Sequence, residues 1–103
     1  MEYKIKKIVE PSEYEMKNAP MQYKEIKKKH PECVILFRVG DFYEAYCDDA
    51  RICSNLLGLT LLTYYGENGS YNMVRFRHYN LDTFLPDLIR FGKRIAICEK
   101  ENE

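Results

Sequence analysis

No tryptophan occurs among these 103 residues, histidine occurs only twice, and the acidic and basic side chains cancel at 16 each. Each scarcity removes a class of function. A formal net charge of zero counts against strong autonomous binding to nucleic acid, where affinity comes mainly from neutralising phosphates. Cys33, Cys47, Cys53 and Cys98 form no C-x-x-C pair, and only His30 and His78 stand ready to assist them. Metal-ligand spacing is therefore missing, and neither a metal nor a cofactor is expected. The longest apolar run, VILF at 34–37, stops at Arg38, far short of a membrane span. The opening MEYKIKKIVE lacks the continuous apolar stretch and small-residue cleavage site of a secretory leader. A cytoplasmic protein is expected, its thiols reduced and packed as small hydrophobes.

What is present describes one globular domain. Hydrophobic residues make up 46% and charged residues 31% of the chain, enough for a single core without a metal or disulfide staple. Nine tyrosines against five phenylalanines mean that most aromatic area carries a polar edge.

Residues 1–18 are charge-rich and weakly patterned, and Pro11 and Ser12 interrupt them. They read as an N-terminal arm or short strand followed by a loop, leaving 19–103 as the domain proper. APMQYKEIKKKHPE predicts a helix near 19–30, with Met21, Tyr23, Ile26 and His30 along one stripe and Lys24, Lys27 and Lys28 on a solvated face. CVILFRV has the unbroken apolar run of a buried strand. CDDARICSNLLG predicts a second helix over 47–57 that stops at Gly58. Two strands follow, turning at 66–69 through Gly66, Asn68 and Gly69. NLDTFLPDLIRFG predicts a third helix over 80–91, with Pro86 in its interior. KRIAICEK closes the chain as another buried strand. The fold class is α+β: a mixed sheet flanked by helices.

The segment GDFYEAY, 40–46, carries the chemistry. Extended, it points Phe42, Glu44 and Tyr46 to one face and Asp41, Tyr43 and Ala45 to the other. That places an aromatic ring beside a carboxylate. Asp41 and Glu44 also have capping-box spacing, so a helix running from Phe42 to Leu57 competes with the strand. By composition alone, Phe42 is a core residue.

GDFYEAY resembles the mismatch-reading segment of the MutS DNA mismatch-repair proteins, and its flanks agree. APMQYKEIKKKHPECVILFRVGDFYEAYCDDARICSNLLGLTL is similar to that family's helix, strand, motif and helix in order, and GKRIAICEK to the strand that ends its N-terminal domain. The likeness covers about residues 19–100 and implies the fold of that domain. It also implies a wedge role for Phe42, inserted into the minor groove against a mispaired base, and a hydrogen bond from Glu44 to that base. Duplex DNA with a mismatch or distortion is the partner so implied, with a larger repair or mobile-element protein as a further candidate.

The chain departs from the family at VRFRHYN, where Arg75, Phe76 and Arg77 stand in place of small, rigid residues. Arg75 and Arg77 share a strand face. They meet phosphates, or they form a solvated edge. Lys93 and Arg94 complete the candidate basic contacts. The family's ATPase phosphate loop, G-x-x-x-x-G-K-[ST], has no counterpart here. A small independent protein that binds no ATP is expected. With no nucleophile–base pair visible, no enzymatic activity is expected either. Asp41, Asp48 and Asp49 read as helix-start acids before they read as a metal site. The rival function is a protein-interaction module that keeps the fold without reading DNA.

Overall fold

The computed structural model describes residues 1–8, 11–66 and 69–100. It contains five strands: β1 (Cys33–Val39), β2 (Phe42–Tyr46), β3 (Leu62–Gly66), β4 (Gly69–Arg77) and β5 (Arg94–Cys98). Four helices accompany them: α1 (Pro11–Asn18), α2 (Met21–Lys29), α3 (Cys47–Leu57) and α4 (Leu81–Arg90). The strands form one sheet in the order β3-β4-β2-β1-β5. Only β1 and β5 are parallel, and the other neighbours are antiparallel. The expected α+β class, with a mixed sheet flanked by helices, is what the chain adopts.

Alternation along the strands divides the core between the two faces. Val34, Leu36, Tyr43, Ala45, Val74 and Phe76 pack with Ala50 and Cys53 of α3 and Leu88 of α4. On the opposite face Ile35, Tyr46 and Tyr71 pack with Tyr23 of α2 and with Ala19. The second face is covered over the Ile35–Tyr46–Tyr71 region. Toward the β1–β2 turn it opens, and Val39, Arg75 and Arg77 are exposed there.

Two expectations need correction. Residues 1–8 are exposed and without regular structure, but 11–18, expected as loop, form α1. Its anchor is polar: the buried Glu15 accepts from the Asn72 amide and from Arg51. A helix docked through a carboxylate leaves little apolar periodicity to read. The second concerns Lys27, placed on a solvated face. Its ammonium meets Asp49 at 2.8 Å and donates to the Cys33 carbonyl at 2.6 Å. The tip of the second hairpin lies at residues 67–68, outside the described residues, while Gly66 and Gly69 pair where the turn was expected.

No helix among the described residues is long and apolar enough to cross a membrane.

Candidate nucleic-acid interface

A two-residue turn delivers the motif. Val39 pairs with Phe42 across Gly40 and Asp41, and Gly40 sits at a φ of 59°. Hairpin turns of this length favour glycine where φ is positive, since a side chain there meets the backbone. The hairpin is then tied down from outside, as the His78 amide donates to the Asp41 carbonyl at 2.9 Å.

The segment is extended through Tyr46, and the helix begins only at Cys47. The capping-box alternative fails because β2 is spent on both sides, pairing with β1 and with β4. Phe42, Glu44 and Tyr46 therefore share the face that α2 covers only in part. At the junction Cys47 takes a φ of 56°, a left-handed conformation that breaks the strand and redirects the chain into α3.

The register with β4 assembles the rest. Arg77 lies opposite Phe42, Arg75 opposite Glu44 and Met73 opposite Tyr46. Both guanidiniums close on the Phe42 ring, with Arg75 Cζ 4.6 Å and Arg77 Cζ 4.5 Å from its centroid. Stacked cations of this kind stabilise by about 0.5–1 kcal/mol each at exposed sites. Phe42 itself is half-buried, so it is neither a core residue nor a bare ring in solvent. Glu44 accepts from the Tyr46 hydroxyl at 2.8 Å. Burial first, and that hydrogen bond second, push the Tyr46 phenol well above its ordinary range.

Lys93 and Arg94 are not part of this cluster. Arg94 pairs with Cys33, at the far end of β1 from Val39. Six residues of strand separate the two ends, about 20 Å at strand rise. The sequence reading also missed Asp49, which is fully buried. It accepts from Tyr23 at 3.0 Å, from Lys27 at 2.8 Å and from the Ile35 amide at 3.1 Å. Its spacing looked like an ordinary helix-start acid, and no local signal distinguishes the two. Among the described residues no group of three or more His, Cys, Asp or Glu side chains could hold a metal ion.

The fold is thus a small mixed sheet with an aromatic ring, a carboxylate and two arginines on one face. The family model of MutS domain I matches residues 18–103, and the chain belongs to that family. It is 50% identical over 82 residues to the DNA mismatch repair protein MutS of Porphyromonas gingivalis, covering 77% of this chain and 9% of that protein. The MutS of Bacteroides thetaiotaomicron is 50% identical over 80 residues, with the same coverage of 77% and 9%. That of Flavobacterium psychrophilum is 44% identical over 89 residues, covering 84% of this chain and 10% of the relative. The chain thus spans about a tenth of the length of the relatives it matches.

Proposed function

We propose that this domain, acting in the cytoplasm as a binding module and not as an enzyme, recognises mismatched or distorted duplex DNA as in mismatch repair. The observation that carries the reading is the Phe42 ring at the open end of the sheet, flanked by Arg75 and Arg77, with Glu44 on the same face. Phe42 is the wedge. Inserting it between base steps costs a few kcal/mol of unstacking, and stacking on a base returns about 1–3 kcal/mol. A mispaired step is already poorly stacked and easily deformed, so the balance favours it over normal duplex. Glu44 accepts a hydrogen bond from the displaced base. Arg75 and Arg77 move with the ring toward the phosphates on either side of the groove, neutralising charge where the wedge enters. In this reading Lys93 and Arg94 stay outside the interface, because they lie at the other end of β1.

The test is a fluorescence-anisotropy titration of matched and mismatched duplexes with the 103-residue chain and with Phe42→Ala. The expected result is weak binding that favours the mismatch and loses that preference in the variant. Equal binding of both duplexes by the unmutated chain would overturn the reading and leave the protein-interaction module in its place.

A further inference from the structure

Glu44 has two neighbours able to hold it, and the one that does so is unexpected. Arg75 stands directly across the β2–β4 ladder, and opposite charges so placed on an antiparallel pair ordinarily attract. Yet among the described residues Glu44 forms no ion pair. Its carboxylate takes the Tyr46 hydroxyl at 2.8 Å instead, and the Arg75 guanidinium lies on the Phe42 ring.

We propose that Tyr46 is a positioning residue whose hydroxyl keeps Glu44 from pairing with Arg75, leaving the carboxylate for a mispaired base and the guanidinium for the wedge. The inference rests on the mismatch reading above. The Tyr46 ring is built to stay in place. It is 7% exposed, edge-on to Tyr23 at 5.6 Å and to Tyr71 at 5.8 Å, and tilted on Phe37 at 5.7 Å. A ring held on three sides keeps its hydroxyl oxygen beside Glu44. Because burial holds the proton on the phenol, that hydroxyl stays a donor. One carboxylate oxygen is thereby occupied, and the other remains an acceptor. Reached from the minor groove, such an acceptor favours guanine and thymine, whose ring N–H lies on the pairing edge, over unprotonated adenine and cytosine, whose amino groups point to the major groove.

Tyr46→Phe removes the hydroxyl and leaves the packing. In the free protein, the Arg75 Nε–H resonance is expected to shift as the guanidinium turns to Glu44, and to return in Tyr46→Phe/Glu44→Gln. On DNA, preference for a G·T over an A·C mismatch is expected to fall about tenfold, the loss of one charge-assisted hydrogen bond, to the level of Glu44→Ala. Preference for mismatched over matched duplex should persist, and in a Glu44→Ala background Tyr46→Phe should change neither. An unmoved Arg75 resonance would overturn the proposal, as would an equal effect of Tyr46→Phe with and without Glu44. If the unmutated chain shows no mismatch preference, the mismatch reading fails, and the Arg75 resonance alone decides the role of Tyr46: a shift supports it and no shift overturns it.

Discussion

The carboxylate of Asp49, in the first turn of α3, accepts the amide N–H of Ile35 in the middle of β1 at 3.1 Å. Pairing between β1 and β2 spans Phe37–Val39 on the β1 side, so the Ile35 amide finds its acceptor in a side chain. The same carboxylate binds Tyr23 and Lys27 of α2. One buried charge thus joins α3, α2 and β1.

Asp49→Ala should cost about 3–5 kcal/mol, because it strands a partly buried ammonium and a backbone donor together. Tyr23→Phe removes only one of the hydrogen bonds and should cost about 1 kcal/mol. Urea denaturation of both variants measures the difference. Equal losses would mean that Asp49 matters only as Tyr23's partner.

Phe42→Ala should be milder than a core truncation. A fully buried phenylalanine costs about 3–5 kcal/mol when cut to alanine, but Phe42 is half-buried. A loss of about 2–3 kcal/mol is expected, about 1–2 kcal/mol of it from the two cation–π contacts. Thermal unfolding reports it, and a loss in the full core range would place the ring among the structural residues.

Duplex binding should weaken with salt at a log–log slope near −2, one unit for each of Arg75 and Arg77. Substituting either arginine with glutamine should reduce the slope by about one. Lys93→Gln and Arg94→Gln should leave it unchanged. Titrations at several salt concentrations separate the two ends of the sheet, and a smaller slope in the Lys93 or Arg94 variant would extend the interface across it.

Alkaline pH should unfold the domain. Burial raises Tyr71 from 10.0 to about 12, Cys47 from 9.0 to about 12 and Cys53 from 9.0 to about 12. Each folded-state value lies above the unfolded one, so each contribution to stability is complete below about pH 9. It is lost as pH rises toward 12, because the unfolded chain releases these protons first. Melting temperature should fall steadily above pH 9. A flat melting temperature from pH 9 to 11 would contradict this.

Gly40→Ala tests the turn. Its φ of 59° costs a residue with a side chain about 1–2 kcal/mol, and no neighbour lies within 4 Å of the added carbon. The loss of stability should therefore come from backbone conformation alone, and Gly40→Asn should recover part of it, since asparagine tolerates this region better. If both variants lose the same stability, the turn is not the cause.

The sequence by itself determined the elements whose signals are local. The apolar run of β1, the helix stopped by Gly58, the helix over 81–90 and the closing strand all announce themselves within a few residues. The alternation of Phe42, Glu44 and Tyr46 was legible too, but so was the capping-box spacing of Asp41 and Glu44. Pairing on both sides of β2 resolved it, and pairing is not a local property. The tertiary structure alone decided that Arg75 and Arg77 flank Phe42, because a register between strands some thirty residues apart sets which side chains meet. It also placed Lys93 and Arg94 at the opposite end, made α1 from a charge-rich stretch by burying Glu15, and gave Asp49 three partners. Charged side chains are legible as surface by default. Only the completed fold shows which of them are enclosed, since enclosure depends on chain segments far away in the sequence.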